Sequence, residues 1–321
     1  MAAKHYLDPY NAAFAEAMSG EPSPHVLGYV KGHEALEGLQ EQEPAYDIDV
    51  ETFQVPWDDV STNVVIFRPK SAPKPCPMVF YMHGGGWVLG SPKSFAPLME
   101  DLARQSGAAM VFPDYSLAPG KQYPFQFEQL YAVLDHIARQ PHKYNLLTDH
   151  IVLAGDSAGG HFVIALMQMC LERNLPAKIA QLVIFNPVTD THIKMASYET
   201  FKNAPFLPVD TLDWMIDSFL PNKKDRENAL TSPLTFASDQ VLAKFPPTII
   251  FLSEVDPLVD DGRAFGHRLQ QAGVDCAIIK GEGQMHSYAL VLPLRSKPTA
   301  RAIVELAALK IRKALFPSTS S

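Results

Sequence analysis

Ser157 lies in the run Gly155-Asp156-Ser157-Ala158-Gly159-Gly160, which fits G-x-S-x-G. The short apolar run Ile151-Val152-Leu153-Ala154 precedes it, and a long apolar segment from His161 to Leu171 follows. That order predicts a buried strand, a sharp turn carrying the serine, and a buried helix. The glycines suit such a turn, because side chains there would clash with neighbouring segments. The helix N-terminus would place partial positive charge beside the hydroxyl, where an oxyanion could form. The chemistry this implies is nucleophilic attack on an acyl carbon. A serine hydroxyl is a weak nucleophile at neutral pH, so it needs a base in hydrogen-bond reach and a carboxylate to orient that base. G-x-S-x-G also fits a plain Gly/Ser turn, so the rest of the chain has to supply those partners.

Of the eleven histidines, only His286 follows the final predicted strand, in the loop Gly281-Glu282-Gly283-Gln284-Met285-His286-Ser287. His161 falls in the helix after Ser157, His192 opens an irregular stretch and His267 is mid-helix. Asp256 directly follows the preceding strand, and Pro257 stiffens its turn. Bonded to the far nitrogen of the imidazole, Asp256 would fix the tautomer and stabilise the imidazolium. Asp260 and Asp261 compete for this role but suit the first turn of a helix. Glu254 lies nearer the strand interior, and Asp156 reads as a hydrogen-bonding brace. Upstream, the strand Met78–Met82 runs into His83-Gly84-Gly85-Gly86-Trp87. Three glycines in a row are costly in chain entropy, and are expected where backbone N–H groups approach a ligand. With the N–H of the residue after Ser157 they could hold a developing negative oxygen. His83 reads as a brace for this loop.

The elements that position these groups follow from periodicity. Strands are predicted at Met78–Met82, Ala108–Phe112, Ile151–Ala154, Gln181–Phe185, Thr248–Ser253 and Cys276–Ile279. From Phe80 to Phe185 strands and helices alternate, which implies a parallel sheet with helices on both faces. Two earlier β-rich runs, from Tyr46 to Phe53 and from Asn63 to Arg68, are expected to be antiparallel at the sheet edge. Residues 1–45 are loosely patterned and read as an arm. Residues 190–235 break the rhythm, with Pro205, Pro208, Pro221 and Pro233 around an amphipathic helix, Thr211 to Leu220. An insertion there would lie over the C-terminal ends of the strands, where open α/β sheets bind ligands. The expected division is therefore an arm at 1–45, core at 46–189, cap at 190–235 and core again at 236–321. A closing helix is expected over Thr299–Leu315, then a disordered tail from Pro317 to Ser321.

Composition excludes several classes. Net charge is −8, without a basic cluster, which disfavours a nucleic-acid partner. Three cysteines, Cys76, Cys170 and Cys276, cannot all pair, and none has zinc-ligand spacing. Free thiols in a reducing compartment are the simplest account. The N-terminus lacks an apolar signal core, and no apolar run approaches the roughly 20 residues needed to span a bilayer. The expectation is an intracellular, cytoplasmic protein.

At these residues the chain resembles the hormone-sensitive-lipase-like family of α/β-hydrolases. The resemblance is carried by His83-Gly84-Gly85-Gly86, Gly155-Asp156-Ser157-Ala158-Gly159-Gly160, Asp256-Pro257-Leu258 and Met285-His286. Asp114-Tyr115-Ser116-Leu117-Ala118-Pro119 matches a further family signature, with Ser116 where arginine is more common. It implies an α/β-hydrolase fold: a mostly parallel, eight-stranded sheet under a cap built from the arm and the insertion. By position it implies Ser157 as nucleophile, His286 as base, Asp256 as its orienter, and Gly85, Gly86 and Ala158 as the oxyanion hole. Ser287 departs from the family, which usually has glycine after the histidine. Family members are often homodimers.

The expected function is hydrolysis of carboxylic esters of short to medium acyl chains, or of an acylated small metabolite, through an acyl-enzyme. No metal or organic cofactor is required. The same triad could instead serve amide or lactone hydrolysis or acyl transfer. A non-catalytic small-ligand receptor on this fold is a rival that the presence of His286 disfavours. Phe14, Met18, Trp87, Phe206, Trp214 and Phe219 are candidate walls of the substrate pocket, each also able to be plain core packing.

Overall fold

The computed structural model describes residues 5–317. The N-terminal reading at residues 1–4 and the tail at 318–321 lie outside them. The chain builds one eight-stranded sheet in the order β1-β2-β4-β3-β5-β6-β7-β8. These strands are β1 (Ile48–Trp57), β2 (Val60–Pro69), β3 (Cys76–Met82), β4 (Ala109–Asp114), β5 (Leu146–Asp156), β6 (Lys178–Phe185), β7 (Thr248–Val255) and β8 (Cys276–Met285). As the edge position of the first runs suggests, β1 pairs antiparallel with β2, and β2 antiparallel with β4. All other pairs are parallel.

Every residue of β3 is buried, because helices cover both faces of the sheet. Alternation divides its side chains between two cores. Met78, Phe80 and Met82 join one, and Val79 and Tyr81 the other. From β3 the chain crosses to β4 on one side, then to β5 on the other. Loops leaving β3 and β5 therefore diverge and open a crevice at the strands' C-terminal ends. The glycine loop leaves β3 there, and Ser157 leaves β5.

Two helices of the arm, α1 (Pro9–Ala17) and α2 (Pro24–Gly38), close one side of that crevice. The arm is firmly attached at the end of β8. Asn11 donates to Gln284 Oε1 at 2.9 Å and accepts from the Met285 N–H at 3.0 Å. Helix α2 breaks at Gly28, whose φ of 78° is left-handed backbone. Helices α3 (Pro92–Ser106) and α4 (Phe125–Arg139) precede the helix after Ser157, α5 (Ala158–Arg173). The insertion contributes α6 (Ala196–Thr200) and α7 (Val209–Phe219), the latter close to the amphipathic helix expected there. Tyr29 of α2 stacks on Trp214 of α7 at 4.8 Å between centroids, joining arm to insertion. A helix over Val259–Gln271 follows β7, with Asp260 and Asp261 in its first turn, and Pro298–Leu315 closes the fold. Among the described residues no helix is long and apolar enough to cross a membrane.

Candidate active site

Ser157 sits between β5 and α5 with φ 54° and ψ −119°, a strained backbone for a residue with a side chain. Its N–H donates to the Phe185 carbonyl at 2.8 Å, and its own carbonyl accepts from the Val188 N–H at 3.2 Å. The flanking glycines are sterically required. A Cβ on Gly159 would stand 1.9 Å from the Met82 carbonyl oxygen, and one on Gly155 would stand 2.6 Å from it. The turn is tight because β5 and the start of α5 press against the end of β3.

Three residues far apart in the chain meet there. His286 Nε2 lies 3.0 Å from Ser157 Oγ, and His286 Nδ1 lies 2.6 Å from Asp256 Oδ2. The second oxygen of Asp256 accepts from the Leu258 N–H at 2.9 Å. Asp256 and His286 are 1% and 3% exposed, so bulk water does not compete for their bond. With Nδ1–H donating to Asp256, Nε2 is left as the acceptor for the serine proton. The competing acids have other partners. Asp260 accepts from the Ser197 N–H at 2.9 Å, and Glu254 pairs with Lys280 and with the Gly283 N–H. Asp261 does lie in a first helical turn, yet it is buried and accepts from the Tyr198 hydroxyl at 3.1 Å. Burial pushes its carboxyl well above the usual range.

The glycine loop is held from below. Asp156 Oδ1 accepts from the Gly84 N–H at 3.0 Å and from the Tyr81 hydroxyl at 2.9 Å. Burial still dominates and raises the Asp156 carboxyl to about 6, against the pull of those two donors. His83 donates Nδ1–H to the Gly84 carbonyl at 2.7 Å and stacks on Tyr115 at 4.1 Å. Burial lowers its pKa to about 3, so it is neutral. Both side chains are thus braces, as their sequence positions suggest. Gly85 and Gly86 have φ of 97° and 62° and line the cavity beside Ser157. Their N–H groups and that of Ala158, first in its helix, have no backbone acceptor among the described residues.

The cavity over Ser157 and His286 has a volume of about 430 Å³. The arm supplies Phe14, Met18, Leu27 and Leu36, and the insertion supplies Phe206 and Met215. Of the six candidate walls, Phe14, Met18 and Phe206 reach the cavity, and Trp87, Trp214 and Phe219 do not line it. Trp87 is fully buried beneath the loop, stacked on Phe219 at 4.9 Å and edge-on to His161 at 5.5 Å. Phe219 is equally buried, while Trp214 faces the other side of its helix toward Tyr29. On α7, Thr211 and Met215 face the cavity, Trp214 points away from it, and Phe219, one turn beyond Met215 on the same stripe, reaches past the cavity to stack on Trp87, which lies beneath its own loop. Met215 was missed because its place in the apolar stripe looks like ordinary core.

Known proteins share this architecture. Residues 79–290 match the family described as alpha/beta hydrolase fold. An esterase of Gibberella moniliformis is 59% identical over 98% of this chain and 99% of its own. A carboxylesterase of Mycobacterium tuberculosis is 29% identical over 81% of this chain and 82% of its own. Among solved structures, carboxyl esterase 2 of Tuber melanosporum superposes with a TM-score of 0.88 at 33% identity, covering 96% of this chain and 99% of that one. A thermostable esterase of Pseudomonas putida superposes with a TM-score of 0.93 at 28% identity, covering 98% and 99%. The chain belongs to the α/β-hydrolase-fold family, in its hormone-sensitive-lipase-like, carboxylesterase-type branch.

Proposed function

We propose that this ester hydrolase works through Ser157, His286 and Asp256, on esters of short to medium acyl chains or on an acylated small metabolite. The observation that carries the reading is the continuous hydrogen-bond chain from Asp256 through His286 to Ser157, opening on an apolar cavity. Ser157 Oγ attacks the acyl carbon while His286 Nε2 takes its proton. The carbonyl oxygen becomes an oxyanion held by the N–H groups of Gly85, Gly86 and Ala158. His286 returns the proton to the leaving alcohol. Water, activated by His286, then attacks the acyl-enzyme, and the acid leaves with Ser157 restored. Asp256 keeps the imidazolium oriented throughout.

The cavity volume supports the size range, since about 430 Å³ falls in the range of ordinary small-molecule pockets. The three free cysteines support a reducing compartment, which is the cytoplasmic expectation. The place of β8 at the edge of the sheet supports a homodimer formed through that edge, which light scattering tests.

Hydrolysis of p-nitrophenyl esters from acetate to palmitate tests the chemistry. Wild type should favour the short and middle chains. Ser157→Ala should lower kcat by about 10^5-fold or more, leaving what the oxyanion donors and binding supply. A wild type inert on every ester, or a Ser157→Ala enzyme as active as wild type, would overturn the assignment.

A further inference from the structure

Ser287 follows the base directly and has φ 59°, left-handed backbone that suits glycine and costs a residue with a Cβ. The family resemblance also leads one to expect glycine there. Glycine would relax the turn, so the serine is held against a local penalty. Strain of this kind persists where its surroundings enforce it, and it clusters at sites of function.

The side chain is also polar where its surroundings are not. Ser287 is 8% exposed and lines the cavity with Leu290, Phe14 and Leu36. Its carbonyl accepts from the N–H groups of Leu290 and Val291, and its hydroxyl, without a hydrogen-bond partner among the described residues, is open to the cavity. The other buried polar side chains of the lining have assigned partners. Ser157 and His286 bond to each other, and the Thr211 hydroxyl bonds to His25 at 2.7 Å. Ser19, Glu21 and Asn203 lie exposed at the mouth. A hydroxyl that faces an apolar cavity without a protein partner is free to bond whatever fills that cavity.

We propose that Ser287 is a specificity-determining residue, and that its hydroxyl bonds a hydroxyl or other hydrogen-bonding substituent placed within a few bonds of the scissile ester. This rests on the esterase reading above and narrows its substrate class from plain alkyl esters to esters of hydroxylated partners. The polar group belongs either to the alcohol or to the acid. A site built to bond a substrate hydroxyl discriminates against the analogue that lacks it, because its own group is then left unpaired.

The test compares isosteric pairs. In the alcohol arm, 2-hydroxyethyl butyrate is set against propyl butyrate. In the acyl arm, 4-nitrophenyl 2-hydroxybutyrate is set against 4-nitrophenyl 2-methylbutyrate. Each pair is measured with wild type, Ser287→Gly and Ser287→Ala. Glycine removes the hydroxyl and relaxes the backbone, whereas alanine removes the hydroxyl and keeps the strained conformation. The expected result is a preference of about tenfold in kcat/KM for the hydroxylated ester in one arm, the size of one neutral hydrogen bond. Both variants should bring that ratio to about one. A wild-type ratio near one in both arms, or a wild-type ratio retained by either variant, overturns the role of Ser287 while leaving the esterase reading standing. No hydrolysis of any of the four esters removes the esterase reading and this inference together.

Discussion

The floor and the roof of the active site are built on different physical terms. The floor is backbone: the ends of β3 and β5, the glycine loop and the turn at Ser157. Its atoms are packed so closely that a single Cβ at Gly159 would fall 1.9 Å from a carbonyl oxygen. The roof is side chain: Phe14, Met18, Leu27, Leu36, Phe206 and Met215, from three helices and a loop. Close backbone packing admits one residue type at a position, while an apolar wall accepts many side chains of similar volume. The floor should therefore answer substitution with lost rate, and the roof with altered selectivity.

The sharpest break is in the floor's electrostatics. Asp256→Asn keeps the shape but offers an amide to His286 Nδ1, so the imidazole loses its oriented tautomer. The expected loss is about 10^4-fold in kcat at pH 7, with KM and thermal midpoint little changed. An Asp256→Asn enzyme within tenfold of wild type would mean that another acid orients the base. Floor and roof meet at Gly86, where a Cβ would stand 2.0 Å from Met215 Sδ. Gly86→Ala should cost about 10^2-fold or more in kcat by displacing an N–H that the proposed mechanism uses to hold the oxyanion. Met215→Ala makes room for the new methyl, so the double variant should recover part of the loss. Strict additivity in that cycle would show that roof and floor are not coupled there.

This division also explains what the sequence discloses. A glycine required by a carbonyl oxygen less than 3 Å away leaves a fixed mark, so the elbow and the glycine loop could be read directly. Asp256 and His286 were readable because each directly follows a strand of a parallel sheet, and such sheets direct their loops to one edge. The roof leaves no such mark. Trp87 and Phe219 carry the same apolar character as Phe206, and only the reach of Phe219 past the cavity and the descent of Trp87 beneath its own loop separate core from wall. The role of Asn11, which holds the Met285 N–H next to the base, was equally hidden, because its partners lie more than 270 positions away. The helix α3 gave no catalytic motif to mark it, though its Phe95, Leu98 and Leu102 fill the core behind the sheet.

A smaller effect should expose the brace under the floor. Burial raises the Asp156 carboxyl to about 6 from an ordinary value of 3.8. The folded state thus holds this proton more tightly than the unfolded chain. Its contribution to stability is complete below about pH 4 and is lost as pH rises through about 6. The loss amounts to about 3 kcal/mol. Asp156→Asn keeps an acceptor for Gly84 and Tyr81 and has no proton to lose. Urea unfolding of both proteins at pH 4 and pH 7 isolates the difference from the other carboxylates. The stability of the variant relative to wild type should rise over that interval, and a constant difference would show that Asp156 does not titrate there.

The smallest effect in rate, and the most direct test of the roof, lies at Phe206. Its φ of 69° is rare for an aromatic residue, and it stands between Pro205 and Leu207 with its ring at the cavity. It is half-buried and packs against both hydrophobic cores, so removing the ring enlarges the cavity without unpairing any polar group. Phe206→Ala should leave the hydrolysis of acetate esters within a few-fold of wild type. It should raise kcat/KM for chains one or two carbons longer by about tenfold, as the added methylenes find room. Trp214→Ala, outside the cavity, should shift that preference far less. If the two variants changed chain-length preference equally, the effect would come from loosening of the cap as a whole, and the ring of Phe206 would not be the wall that the cavity presents.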